Sequence, residues 1–369
     1  VSDPDAFLVD EPHPEPGSLA HAWQGRGADS NPRNRFEGTV SHAGPDYDPG
    51  DEIAPTTQVH DDTTRSILSW NDSPDVPFAC SVNPYRGCEH GCIYCYARPY
   101  HEFLGMSAGL DFETRLLVKR NAAALLRAEL AKPSWVPQVV NLSGVTDCYQ
   151  PIERQYRVTR ECIAVLAELR NPTTVITKNR LVVRDIDLFQ ELARHQAVAV
   201  SISVTTLRDD LAASLEPRAS RPQARLAAIR ALADAGVPVG VNVAPVIPGL
   251  TDVEVPAIAA AAAEHGARYA NTTIARLPGA VEDLMGAWLD RHQPLAKAKI
   301  IGRIRAAQGG QGVSTHFGER MRGLGAHAEQ FHALFDLACR KHGLLRRWPD
   351  LSAAAFRPPG GRQLSIFDS

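Results

Sequence analysis

The chain has 369 residues, 44% of them apolar and 22% charged, with a formal net charge of −3 and seven cysteines. These values exclude a collagen-like, low-complexity or disulfide-framework chain and fit a globular protein in a reducing compartment. No apolar run of about 18 residues exists to span a bilayer, and the acidic start Val1-Ser2-Asp3-Pro4-Asp5 lacks the basic and apolar regions of a secretory signal. No membrane association and a cytoplasmic location are therefore expected.

Residues 1–70 are rich in Pro, Gly, Asp and Ser and cannot bury enough apolar surface to offset chain entropy, so an arm that is largely extended or disordered is expected. Residues 1–60 carry 11 acidic and 3 basic side chains, which leaves the remaining chain with a net charge of +5. Within the arm, the run from Gly25 to Glu37 holds more specific polar residues than a linker needs, and docking on the body of the protein is expected. Residues 71–295 alternate short β-branched runs with alanine- and leucine-rich helices, the pattern of βα units around a parallel sheet. Strands are predicted at Phe78–Val82, Val139–Ser143, Thr174–Thr177, Val198–Val204, Pro238–Ala244 and Tyr269–Ile274. Helices are predicted at Arg115–Ala131, Arg160–Arg170, Asp185–His195, Pro222–Ala235, Asp252–His265 and Val281–His292. The pattern alone allows a partial (β/α)6 barrel or an open doubly wound sheet. Residues 296–357 read as a helical C-terminal extension, with segments at Leu295–Gln308 and Ala326–His342, and 358–369 as a flexible tail. The late cations Arg303, Arg305, Arg320, Arg322, Arg340, Lys341, Arg346 and Arg347 are either phosphate contacts or solvated helix faces.

Three cysteines in the run Asn83-Pro84-Tyr85-Arg86-Gly87-Cys88-Glu89-His90-Gly91-Cys92-Ile93-Tyr94-Cys95-Tyr96 carry the chemistry. Thiolates from Cys88, Cys92 and Cys95 can hold three irons of a [4Fe-4S] cluster and leave the fourth open for a small molecule. A zinc site completed by His90 or His101 is the alternative, although a structural zinc normally takes two ligand pairs and no second pair is present. Later strand ends add Asn141 to Glu153, with Thr146, Asp147 and Cys148, then Lys178 after the third strand. Ser201, Ser203 and Thr205 share one face of the fourth strand, where hydroxyls would suit a ribose.

The string Cys-x3-Cys-x-Tyr-Cys resembles the signature of the radical S-adenosylmethionine (SAM) superfamily, and the longer run resembles its DNA repair photolyase-like, spore photoproduct lyase-related branch. The resemblance covers roughly residues 70–280. It implies a partial (β/α)6 radical SAM barrel, a [4Fe-4S] cluster on Cys88, Cys92 and Cys95, SAM at the open iron, and a reducing donor such as flavodoxin or ferredoxin. It further implies SAM contacts at Thr146, Asp147, Lys178 and Ser201, to which the shared strand face adds Ser203, with the segment containing Pro245 bordering the adenine opposite Tyr94. One departure stands out. Where the lyase has its hydrogen-donating cysteine this chain has Gly144, and the nearby Cys148 is either a substitute hydrogen donor or a buried inert thiol.

The function expected from this resemblance is cleavage of SAM to a 5′-deoxyadenosyl radical acting on nucleic acid, in DNA repair or modification. The rivals are a radical SAM enzyme acting on a peptide, tRNA or small metabolite, and a non-catalytic zinc-bearing binding module. The tail Gln363-Leu364-Ser365-Ile366-Phe367 resembles the peptide by which bacterial repair proteins dock on the DNA sliding clamp, with Leu364, Ile366 and Phe367 as apolar anchors.

Overall fold

The computed structural model describes residues 23–37, 55–310, 313–314 and 316–359. The clamp-like peptide at 363–367 lies outside them. Among the described residues ten strands run in chain order: β1 (Gln58–Asp61), β2 (Leu68–Trp70), β3 (Cys80–Val82), β4 (Tyr85–Arg86), β5 (Arg115–Val118), β6 (Val140–Leu142), β7 (Thr173–Thr177), β8 (Val198–Ser203), β9 (Val239–Val246) and β10 (Tyr269–Ile274). The main sheet has the order β10-β9-β8-β7-β6-β3-β2, all parallel except for the β2–β3 pair. Its six parallel strands are the six predicted from the sequence, and helices follow each in turn, as at Val158–Leu169, Ile186–Ala193, Pro222–Asp234 and Val255–Glu264. This is the expected α/β architecture with a mostly parallel, barrel-like sheet.

The parallel strands read as near-continuous β-branched runs because both faces are covered. Val198–Ser203 is buried at every position. One cluster fills the space between sheet and helices, joining Val82, Leu142, Val175, Val200, Val241 and Ile274 to Leu166, Leu192, Ile229 and Ile258. Burial at this scale is the main force holding the βα units together.

Two expectations need correction. Residues Arg115–Val118 form a strand rather than the start of a helix, pairing parallel with β1 and antiparallel with β4. Leu116 and Val118 are buried on alternate positions, so tertiary pairing overrides helix propensity there, and the helix begins only at Ala122. The span 1–70, expected to be irregular, contributes β1 and β2, short edge strands with little sequence signal.

After the helices Lys297–Ala307 and Gly325–Lys341 the chain turns beneath the sheet. Leu345, Ser352 and Arg357 donate backbone hydrogen bonds to Arg268, Gln196 and Leu169, residues just ahead of strands or at the end of the preceding helix. That pattern closes the floor of the barrel and leaves its working end at the opposite, C-terminal ends of the strands.

Candidate active site

The cysteine loop emerges from β4 at the C-terminal end of β3, and it is held at nearly every peptide. The Cys88 amide donates to the Phe112 carbonyl (2.8 Å) and the Ile93 amide to the Leu215 carbonyl (3.0 Å), while the His90 carbonyl accepts from the Arg218 amide (3.2 Å). Gln150 receives the Glu89 amide on Oε1 (2.9 Å) and donates from Nε2 to the Gly87 carbonyl (3.0 Å). Gly87 and Gly91 both sit at positive φ, and a Cβ on Gly87 would meet the Leu116 side chain at 2.6 Å, so the loop needs glycine at these turns.

Beneath the loop lies a buried ion pair. Arg98, fully buried, donates from Nε to the Cys92 carbonyl (2.9 Å), from Nη2 to the Gly91 carbonyl (3.2 Å), and from Nη1 to the carbonyls of Ala108 and Gly109. Its Nη2 also meets Glu113 Oε1 at 2.5 Å. The Glu113 carboxylate takes two further donors, the amides of Gly27 (3.0 Å) and Ala28 (2.9 Å). Residues 23–37 are thus docked on the body. Asp29 pairs with Arg291, Asn31 exchanges hydrogen bonds with Asp111, and the Asn34 amide donates to the carbonyls of Glu102 and Met106. Gly27 is pressed so close that a Cβ there would lie 1.7 Å from the Gly91 carbonyl oxygen.

Cys88, Cys92 and Cys95 are all free thiols, the first two buried and the third half-buried. Burial raises the pKa of each; Asp147, then Cys92 and Cys95, push Cys88 up further, and Glu216, then Cys95, do the same to Cys92. Among the described residues no three His, Cys, Asp or Glu side chains converge tightly enough for one metal ion. A cubane takes each thiolate at a different iron and so asks for wider spacing than a single zinc. Both histidines proposed as a fourth zinc ligand are engaged elsewhere: His90 Nδ1 faces Asp147 (3.4 Å) and its Nε2 Asn179 (3.3 Å), and His101 Nε2 faces the Arg115 carbonyl (2.9 Å).

Strand ends converge on the loop. Asp147, after β6, accepts the Thr177 hydroxyl (2.7 Å) and the Lys178 amide (2.7 Å) as well as facing His90, which ties β7 to the cysteine loop. His90 and these donors outweigh burial and hold its carboxyl below the usual range. Lys178 Nζ lies 3.3 Å from the Ala244 carbonyl and 5.9 Å from the centre of the Tyr94 ring. The Tyr94 phenol hydrogen-bonds Glu216, which pairs with buried Arg225 and accepts from Thr205 (2.8 Å). Although burial disfavours the charged form, Arg225 and Lys178 hold the Glu216 carboxyl down at about 2. Tyr94, Lys178, Thr205 and the Ala244-Pro245 bend of β9 therefore meet at one place.

Other expected residues are placed differently. The Thr146 hydroxyl donates to the Tyr85 carbonyl (2.9 Å). Ser203 takes the Asn242 amide at 3.5 Å, while Ser201 is fully buried beside the Tyr269 phenol, with no well-formed hydrogen bond on its hydroxyl. Asn141 and Asn271 likewise carry buried amide nitrogens without partners. A buried polar atom left unpaired costs about 1–3 kcal/mol, so such groups suit a ligand. Cys148 is fully buried in the main core beside Tyr149 and Cys162, with its pKa driven up by burial. Gly144 abuts Ser81, whose Oγ would stand 2.9 Å from an added Cβ. Sequence reasoning missed Arg98, Glu113, Gln150 and the Glu216–Arg225 pair as supports.

Comparison with known proteins now bears on this geometry. The family model of the radical SAM superfamily matches residues 82–262, which holds the cysteine loop and four of the six parallel strands, β6 to β9, in full. A protein of Mycobacterium tuberculosis, described as uncharacterized, is 39% identical over 232 residues, covering 62% of this chain and 67% of that protein. The chain belongs to the radical SAM superfamily. An uncharacterized protein of Methanocaldococcus jannaschii is 28% identical over 173 residues, 47% of this chain and 62% of its own length. Among solved structures, a cysteine-to-serine mutant of spore photoproduct lyase matches with TM-score 0.54 at 14% identity, covering 79% of this chain and 81% of that one. A second mutant of that lyase, with bound AdoMet and dinucleoside spore photoproduct, matches with TM-score 0.53 at 15% identity over 79% of this chain and 82% of that one. At such identity the likeness is one of fold. Membership of the superfamily implies a [4Fe-4S] cluster and SAM, and the residues fit both: three free thiols on a clamped loop, a lysine at the mouth, and unpaired polar atoms in the interior. Among the described residues no helix is long and apolar enough to cross a membrane.

Proposed function

We propose that this radical SAM enzyme holds a [4Fe-4S] cluster on Cys88, Cys92 and Cys95 and acts on nucleic acid, in DNA repair or modification. The observation that carries the cluster assignment is the loop itself, fixed from below by Arg98 and Glu113 and from the sides by Gln150 and Arg218. Such fixing holds the backbone that carries the three thiols, which is what a preformed site requires. When bound and reduced, the cluster supplies the electron that splits SAM to methionine and a 5′-deoxyadenosyl radical. The residues of this chain bind and orient: Lys178 offers a cation to the SAM carboxylate, Tyr94 and the Pro245 bend flank the adenine, and Ser201 and Ser203 offer hydroxyls to the ribose. Thr146 and Asp147 act mainly through the backbone they hold. Cys148 as hydrogen donor is disfavoured by its complete burial.

The nucleic-acid part of the reading gets limited help from the late arginines. Arg303, Arg305, Arg320, Arg346 and Arg347 each face a carboxylate, as solvated or structural ion pairs do. Docking on the sliding clamp through Gln363–Phe367 and reduction by a flavodoxin or ferredoxin belong to the same reading. The test is anaerobic reconstitution of the full chain with iron and sulfide, followed by SAM cleavage with a chemical reductant. Four irons per chain and methionine release that Cys88→Ala abolishes are expected; one equivalent of zinc and no SAM cleavage would instead leave a binding module.

A further inference from the structure

Six aromatic side chains are prominently exposed among the described residues, and five of them, Phe36, Tyr96, Tyr100, Phe103 and Phe317, contact one another or the arginines Arg276 and Arg320. They are 39% to 65% exposed, an arrangement that burial would normally remove unless a partner uses it. The row starts at the cluster loop, since Tyr96 follows Cys95 directly and donates from its hydroxyl to the Gly144 carbonyl (2.9 Å) at the end of β6. Arg276, just past β10, lies over the Tyr96 ring with its guanidinium carbon 4.7 Å from the centre, close enough to Tyr100 and Arg320 to feel their charge. Tyr100 neighbours Phe103 (6.5 Å between centres), and Phe103 meets Phe36 (4.9 Å) from the docked N-terminal segment. Arg320, whose charge reaches Arg276, covers Phe317 at 4.7 Å.

The cations decide what fits. Arg35 is paired with Glu102 and Arg320 with Asp75, but no carboxylate lies within ion-pair distance of Arg276 among the described residues. Burial, reinforced by the charge of Arg320 and only partly offset by Tyr96, Tyr100 and Asp75, lowers its pKa, a cost that a bound anion would relieve further. Flat aromatic faces interleaved with arginine are the means by which proteins bind unstacked bases while neutralising phosphate. Enzymes that react with a base must also take it out of the duplex stack, and this row begins one residue from a cluster ligand.

We propose that this face, from Phe36 through Arg276 to Phe317, binds single-stranded DNA or the strand opened around an extruded nucleotide, with Arg276 on a phosphate. The proposal rests on the nucleic-acid reading above and adds the surface that serves it. It is tested with the reconstituted full chain by fluorescence anisotropy on labelled oligothymidylate, its duplex and oligouridylate across a salt series. The double variant Phe36→Ala/Phe103→Ala is expected to weaken oligothymidylate binding at least about tenfold, and Arg276→Gln to reduce the salt slope. Trp70→Ala, the sixth exposed aromatic, whose ring neighbours Trp135 (6.4 Å between centres), is expected to bind as wild type. Melting temperature and iron content guard against misfolding. Wild-type binding that the double variant retains would overturn the surface and leave the nucleic-acid reading standing; no binding of any oligonucleotide by wild type would remove both. Binding of the RNA alone, or a change in oligomeric state on sizing in place of a binding defect, would also overturn the proposal.

Discussion

Arg98 and Glu113 form an ion pair with no solvent exposure on either side chain, directly under the peptide that links two cluster cysteines. Removing one member strands the other charge, at a cost of about 3–5 kcal/mol. Glu113→Ala and Arg98→Met are expected to lower the unfolding midpoint in urea and to load less iron on reconstitution. Normal stability with normal iron would show that the pair does not support the loop.

Gly27 touches the cluster loop through backbone alone. Gly27→Ala places a methyl 1.7 Å from the Gly91 carbonyl oxygen, so the N-terminal segment has to lift. A loss of roughly 1–3 kcal/mol is expected, together with faster proteolysis within 23–37. Gly302→Ala, in a helix with open space around it, serves as the control and is expected to be neutral or stabilising by about 0.5–1 kcal/mol. Equal protease resistance in both variants would contradict the close docking.

His101 gives a pH signature. Burial lowers its pKa from 6.5 to about 4, so the folded protein holds it neutral against the Arg115 carbonyl. Its contribution is complete above pH 6.5, the unfolded value, and is lost as pH falls through about 4. The full loss is roughly 3 kcal/mol. Urea midpoints at pH 7, 5.5 and 4 should therefore fall less steeply in His101→Gln than in wild type, and parallel curves would refute the assignment.

The Lys178 side chain sits between the Ala244 carbonyl and the Tyr94 ring, with no carboxylate among the described residues hydrogen-bonded to its Nζ. Lys178→Met is expected to weaken SAM binding to the reconstituted protein by about tenfold, the order of one charge-assisted contact. Iron content should be unchanged. Calorimetric titration with SAM is the measurement, and wild-type affinity would move the carboxylate contact elsewhere.

Much of the architecture could be read from the chain because its signals are local. Val198–Ser203 and Tyr269–Ile274 are β-branched or polar-alternating runs bounded by helix-forming alanines, and both strands appear within a residue of expectation. The cysteine spacing likewise announced its own chemistry. What escaped is non-local: Arg98 and Glu113 look like surface charges in sequence, and only the fold brings them under the loop. Arg115–Val118 was misread for a related reason, since its pairing with residues 58–61 and 85–86 leaves no trace in the local pattern.

The family match starts at residue 82, but two of the three donors to Glu113 come from the amides of Gly27 and Ala28. A clone trimmed to the matched region would keep all three cysteines and lose the peptide that closes the underside of their loop. Its buried carboxylate would be left with Arg98 alone. For this chain the working unit is larger than the family boundary, and attempts to express it should begin ahead of Trp23.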